Sequence, residues 1–402
     1  MKKLNIGILT DQFIKWGGGI DFIRLILNGL NSLNGTGQYE IGIYVYVPIQ
    51  LEIKIQVKNF IKKILNAILS QKFVIEKSNI ENRLLVESFK DINQNISIVY
   101  YNGHEKDLIK RVLIDNIDFV LPAFNPLSAK FPIPWAGYVY DFQHKYYPTF
   151  FTDEDIIMRD QSFSKMMKEA EKVIVNAKEV RNDIEKFVEE KKAKVITLPF
   201  CPVLNMDFFQ EIDISNLNIP EKYFMISNQF WKHKDHITAF KAFKAFIDAT
   251  GNIDIGLVCT GQTIDYRFPN YYSELEELLI NLDIQNRVFI LGYIPKKSQL
   301  QILKNSIAVI QPTLFEGGPG GGAVYESVAY GIPSIVSDIP VNQELDDESV
   351  CFFTAGSYID LKEKMEVVFK KPKVNFTLDE LIVKNEKRLM AMGKQIIDIV
   401  VN

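Results

Sequence analysis

The residues best placed to do chemistry run from Glu316 to Glu326 and read Glu-Gly-Gly-Pro-Gly-Gly-Gly-Ala-Val-Tyr-Glu. Five of the six positions 317–322 are glycine, more than a tight turn requires. Bare N–H groups at the start of a helix suit a phosphate or diphosphate, because they are unpaired and the helix dipole is positive there. Gly320, Gly321, Gly322 and Ala323 are therefore expected at an anion. Glu316 is expected to face the ligand's polar end, and Glu326, about one turn into the helix, to accept hydrogen bonds from a ribose diol. A second cluster, Gly17-Gly18-Gly19, precedes the helical pattern Ile20–Leu33 and offers Gly18 and Gly19 as another anion cradle. It is not a dinucleotide fingerprint. Its glycines are consecutive, and the candidate strand Tyr39–Val47 leads into Pro48 and Ile49 with no acid for a ribose.

Two further segments carry reactive groups. Asn228-Gln229-Phe230-Trp231-Lys232-His233-Lys234 follows a candidate strand. Lys232 and Lys234 would neutralise a diphosphate, and Asn228 or Gln229 would bond a sugar or phosphate oxygen. The competing reading is a solvated loop in which Asp235 caps the next helix. His233, His236 and Cys259 supply no second close-spaced ligand pair, so no metal is expected. Tyr138-Val139-Tyr140-Asp141-Phe142-Gln143-His144-Lys145-Tyr146-Tyr147 ends a strand in an acid, a histidine and aromatic rings, a combination that suits a sugar. Asp141 and His144 are the candidate base or orienting groups there, with a buried structural histidine as the alternative. Asp153-Glu154-Asp155 resembles a metal-holding triplet, but Thr152 with Asp155 reads better as a capping box.

These segments need elements to hold them. Apolar runs at Leu4–Thr10, Tyr39–Val47, Ser97–Tyr101, Asp118–Ala123, Trp135–Asp141, Lys172–Asn176 and Val195–Phe200 alternate with helical periods. A second series follows at Tyr223–Ser227, Ile253–Gly261, Arg287–Tyr293, Ile307–Thr313, Pro333–Asp338 and Val350–Thr354. Near-continuously apolar strands alternating with helices predict parallel sheets covered on both faces, here two doubly wound α/β domains. The break is placed at Leu198-Pro199-Phe200-Cys201-Pro202, giving domains 1–200 and 201–379. A last helix over about 380–402 is expected to reach back onto the first domain.

Composition narrows the class. A formal net charge of −4 over 402 residues gives no sign of a nucleic-acid binder, and three scattered cysteines fit a reducing compartment. The start, Met1-Lys2-Lys3-Leu4, lacks a following small-residue cleavage site, and no run approaches a membrane span. The expectation is a cytoplasmic protein. Residues 51–70 alternate Lys54, Lys58, Lys62 and Lys63 with isoleucine and leucine. This stripe reads either as a peripheral contact with an anionic membrane or as an ordinary surface helix.

Two such domains with glycine-rich loops and a paired-glutamate loop resemble the GT-B glycosyltransferases, and among them the retaining family GT4, which carries Glu-x7-Glu. Glu316 and Glu326 look like that pair, followed by Gly331-Ile332-Pro333-Ser334-Ile335-Val336-Ser337-Asp338. The resemblance covers residues 195–345 well and the N-terminal half more loosely. It implies Glu316 beside the transferred sugar, Glu326 on the ribose and the 320–323 amides at the diphosphate. It also implies Lys234 as the phosphate lysine, Tyr293 and Ile294 around the base, and Gly18 and Gly19 facing donor and acceptor. Three departures stand out: nine residues separate the glutamates, Gln229 replaces the family's arginine with Lys232 as substitute charge, and Tyr140 replaces a histidine. The implied activity is transfer of a hexose or related sugar from a UDP- or GDP-sugar to a glycan or lipid-linked acceptor, without metal or cofactor. Bacterial relatives of this kind build cell-surface polysaccharide and lipopolysaccharide. The alternatives are a GT-B sugar-nucleotide epimerase or hydrolase and a catalytically silent binding subunit.

Overall fold

The computed structural model describes residues 2–15, 17–33, 39–48, 86–252, 254–372, 374 and 376–402. The membrane-facing reading of 51–70 falls outside them. Among the described residues no helix is long and apolar enough to cross a membrane.

In chain order the first part contains β1 (Lys2–Leu9), α1 (Gly17–Asn31), β2 (Tyr39–Pro48), β3 (Ser97–Tyr101), α2 (Glu105–Ile114), β4 (Phe119–Ala123) and β5 (Trp135–Tyr138). There follow α3 (Gln143–Tyr146), α4 (Asp153–Glu169), β6 (Lys172–Val175), α5 (Lys178–Phe187) and β7 (Lys194–Thr197). The second part has β8 (Lys222–Ser227), α6 (His236–Thr250), β9 (Ile255–Thr260), α7 (Tyr271–Asn281), β10 (Val288–Gly292) and α8 (Lys296–Asn305). It continues through β11 (Val309–Gln311), α9 (Gly321–Ala329), β12 (Ser334–Ser337), β13 (Val350–Phe353), α10 (Tyr358–Lys370) and α11 (Leu378–Val401). Every apolar run read from the sequence overlaps one of these strands, with ends that differ by up to three residues.

The strands form two parallel sheets, ordered β3-β2-β1-β4-β5-β6-β7 and β10-β9-β8-β11-β12-β13. Each sheet is apolar on both faces, as the unbroken strand sequences require. Leu4, Ile6 and Ile8 of β1 pack on α1, while Leu9 joins the cluster on the other face. In both sheets the first strand lies beside the fourth. Crossovers leave in opposite directions at that point, so the loops beyond the strand ends open a crevice.

Helix α11 touches both domains. Its capping box pairs Thr377 with Glu380, as in the box Thr152–Asp155 that opens α4. Leu381 packs in the second domain and Asn385 Nδ2 donates to Ala329 O at 2.9 Å. Met392, Ile396 and Ile399, continuing the three-and-four spacing, are buried in the first domain. Each such side chain contributes about 1.5–3 kcal/mol on burial. The crossing with α1 is close because glycines meet there: a Cβ on Gly393 would lie 2.1 Å from Gly29 O.

Candidate active site

The crevice of the second sheet lies between the loops that leave β8 and β11. Leu314 N donates to His233 O at 2.8 Å and so ties these two loops together. Lys234 Nζ then meets Glu316 Oε1 at 2.5 Å, with only 12% and 10% of the two side chains exposed. Gln311 Nε2 donates to the same Glu316 oxygen at 2.9 Å, and Gln311 Oε1 accepts from Asn228 Nδ2 at 2.6 Å. Asn228, Gln311, Glu316 and Lys234 therefore form one chain of bonds at the strand ends. Glu326 is held separately, by an ion pair with Lys296 and by Gln299 Nε2 at 3.1 Å. Gln299 also donates to Ser227 Oγ at 2.7 Å. Asp21 and Arg24 of α1 lie within electrostatic reach of Lys296.

The glycines divide by function. Gly320 and Gly321 have φ of +71° and +64°, a region that favours glycine. Gly317 faces the other domain, where its Cβ would meet Tyr140 O at 2.4 Å. Gly322 has neither constraint, and among the described residues nothing lies within 4 Å of where its Cβ would be. Together with Ala323 it occupies the first turn of α9, whose N–H groups have no partner within the helix. Gly320 is corrected as an anion donor, because its N–H already donates to Asn342 Oδ1 at 2.7 Å. Gly321 N donates to Gly318 O at 3.4 Å, so the first-turn amides left for a ligand are those of Gly322 and Ala323. Gly18 and Gly19 also shift in setting: they lie inside the first turn of α1 rather than in a loop before the helix, with Gly18 exposed.

Across the cleft stands Asp141, its Cβ 3.0 Å from the position a Gly317 Cβ would take. Asp141 Oδ1 accepts from Arg159 Nη1 at 3.1 Å and from Gln143 N at 2.9 Å. His144 is the second correction. Its ring is buried between Phe142, Phe151 and Phe163, with Nε2 3.0 Å from Asp160 Oδ1. Burial keeps the imidazole below its ordinary pKa, and it does not reach the cleft. The aromatic stretch is likewise spent on packing. Tyr140 stacks on Phe124 at 5.2 Å, while Tyr146 and Tyr147 pack on Phe315, 5.8 and 6.1 Å between centroids.

Lys232 lies on the same loop as Lys234. Its side chain is exposed and its ammonium rests over the Phe268 ring at 4.7 Å. The nearby buried cation is Arg267, bound to Asp265 at 3.2 Å, stacked over Trp231 at 5.0 Å and donating to Gln143 Oε1 across the domains at 3.4 Å. Gln229 and Tyr293 are exposed, and Ile294 packs against the second core. His233 and His236 are buried and neutral, burial pushing them down to about 2 and about 3. Among the described residues no group of three metal-ligating side chains forms.

Gln311, Gln299, Lys296, Arg159 and Arg267 were not singled out by sequence. Gln311 alone left a sign, a polar residue at the C-terminal end of an otherwise apolar strand. The others come from helix and loop positions whose spacing carries no mark of a site.

Residues 207–388 match the family model described as glycosyl transferases group 1. The whole chain is similar in structure to HepE of Anabaena solved with UDP and glucose, at TM-score 0.61 and 13% identity, covering 98% of each chain. It is also similar to a sucrose-phosphate synthase of Thermosynechococcus elongatus, at TM-score 0.58 and 13% identity, covering 99% of this chain and 94% of the other. A third likeness is to WaaG, described as a glycosyltransferase involved in lipopolysaccharide biosynthesis, at TM-score 0.55 and 10% identity over 99% and 100% of the two chains. A comparison with curated proteins gives no match. The structural likenesses make the fold GT-B, and the group 1 match supports a transferase.

Proposed function

We propose that the chain is a retaining glycosyltransferase, moving a hexose or related sugar from a UDP- or GDP-sugar to a glycan or lipid-linked acceptor in the building of cell-surface polysaccharide. The observation that carries the reading is the Lys234–Glu316 pair, set between the bare first turn of α9 and Asp141 of the facing domain. A carboxylate and an ammonium held together at a strand exit, beside unpaired amides, form a site that a diphosphate sugar can enter by taking the lysine from its partner. The lysine and the Gly322 and Ala323 amides then face the leaving diphosphate, Glu326 the ribose and Glu316 the sugar. No metal is part of this reading.

The chemistry follows from where charge develops. As the anomeric carbon–oxygen bond breaks, negative charge grows on the diphosphate, and preorganised cation and amides lower that barrier most. Retention with no protein nucleophile has the acceptor hydroxyl attack from the side the diphosphate leaves, giving its proton to the leaving phosphate. Asp141, held by Arg159, orients that hydroxyl from the other domain. Closure of the cleft excludes water and limits wasteful hydrolysis. The HepE structure, with UDP and glucose, supports a UDP-sugar as donor.

The reading is tested by thermal unfolding with UDP, GDP, ADP, CMP and NAD, each with and without magnesium. A nucleotide at a hundred times its Kd stabilises a fold by about 2.7 kcal/mol. One nucleoside diphosphate is expected to stabilise the protein without magnesium. Stabilisation by none of them would overturn the reading, and free or epimerised sugar formed without acceptor would favour a hydrolase or epimerase.

A further inference from the structure

One short turn of the second domain touches both the glycine loop and the opposite domain. The turn, residues 342–344, follows β12. Asn342 is fully buried, accepts the Gly320 N–H at 2.7 Å and donates from Nδ2 to Ser337 O at 3.0 Å. Two residues on, the Glu344 carboxylate crosses to the first domain. Its two oxygens accept the N–H groups of Lys178 and Glu179, each at 2.8 Å. Those residues open α5, whose own N-cap, Ala177, has no side-chain acceptor to offer. The cap of α5 is therefore supplied by the other domain, a carboxylate on the positive end of a helix. These two bonds exist only while the domains keep this relation.

We propose that turn 342–344 is a positioning element that couples domain closure to the shape of the diphosphate cradle. Glu344 holds the domains together by capping α5. Asn342, on the same turn, fixes Gly320 in its left-handed conformation, and so aims the first-turn amides of α9 into the cleft. Drawing the domains apart removes the cap and frees the turn that braces the loop. Neither residue touches the reacting atoms. The cradle half of the proposal rests on the donor-binding reading above; the latch half stands on the hydrogen bonds alone.

The test compares wild type with Glu344→Ala, Glu344→Gln, Asn342→Ala and a control on the same turn, Gln343→Ala, whose side chain is exposed. Small-angle scattering with and without UDP reads closure, and donor KM and kcat are measured separately. Glu344→Ala is expected to enlarge the radius of gyration without UDP and to return towards the wild-type value when UDP saturates. Its donor KM should rise about five- to tenfold, the factor lost with a helix cap, while kcat changes less. Glu344→Gln, which keeps one acceptor oxygen, should fall between. Asn342→Ala should raise donor KM with the wild-type radius, and Gln343→Ala should leave both unchanged. Where Asn342→Ala does not fold, donor KM in Glu344→Ala decides the coupling: a rise supports it and a wild-type value overturns it. Wild-type scattering from Glu344→Ala would overturn the latch, and wild-type donor KM in Asn342→Ala would overturn the coupling. Failure of the wild type to bind any nucleoside diphosphate would refute the donor reading, and the scattering comparison without nucleotide would still decide the latch.

Discussion

Replacing Glu316 by glutamine should make the protein bind UDP more tightly while abolishing transfer. Lys234 and Glu316 lie 2.5 Å apart with about a tenth of each side chain exposed, so the pair is nearly desolvated. Opposite charges about 4 Å apart attract by about 4 kcal/mol at an effective dielectric constant near 20, and closer ones by more. Removing one partner of a buried pair costs about 3–5 kcal/mol, and the remaining exposure places this pair near 3. At ~2–4 °C per kcal/mol, the variant should melt about 6–12 °C below wild type. A diphosphate entering the wild-type site must first take Lys234 from Glu316. In Glu316→Gln that competitor is neutral, and UDP affinity should rise about tenfold, close to 1.4 kcal/mol. Lys234→Met should lower affinity by a similar factor. The double variant should be less destabilised than the sum of the singles, by at least ~1 kcal/mol. Titration calorimetry and thermal unfolding of the four proteins supply every term. Unchanged or weaker UDP binding in Glu316→Gln, or strict additivity, would refute the argument.

Gly317→Ala would place a Cβ 2.4 Å from Tyr140 O, so the domains could not close as they do here. Turnover should fall by about tenfold or more with little change in UDP affinity, and equal kcat in variant and wild type would contradict this. Gly393→Ala would force α11 off α1 at a 2.1 Å contact and should cost about 1–3 kcal/mol in denaturant unfolding; unaltered stability would count against the helix crossing. His236 is held down to about 3 by burial, stacks on Phe230 at 4.2 Å, and has no partner among the described residues for either ring nitrogen. Between that value and the ordinary 6.5 the unfolded chain binds the extra proton, so stability falls as pH drops through this window. Going from pH 7 to pH 5 should cost wild type about 2 kcal/mol more than His236→Phe, and coincident pH profiles would exclude it.

The fold was legible because its signal is local and repeated. Thirteen apolar runs, each long enough for a strand and separated by helix or turn signals, specify two parallel sheets, and the observed strands fall within those runs to a few residues. The capping box at Thr152 was readable for the same reason, as was the glycine loop. Side-chain partners were less legible, since they depend on distant segments meeting. The sequence places His144 three residues after Asp141, but α3 turns it into the interior, and Arg159 arrives from α4 to hold Asp141 instead. Gly320 looks like an anion donor until Asn342, more than twenty residues on, takes its N–H. Lys232 and Lys234 are close in sequence, yet one turn sends the first over Phe268 and the second to Glu316.

The central claim is that Glu316, supported by Lys234, serves a sugar held on a nucleoside diphosphate. Its most direct test is release of nucleoside diphosphate from UDP-, GDP- and ADP-sugars by wild type and by Glu316→Ala, each with and without a polyprenyl-phosphate or oligosaccharide acceptor. Wild type is expected to release the diphosphate from one of these donors in an acceptor-dependent way, and Glu316→Ala to bind that donor and release none. Wild-type turnover by Glu316→Ala would contradict the account.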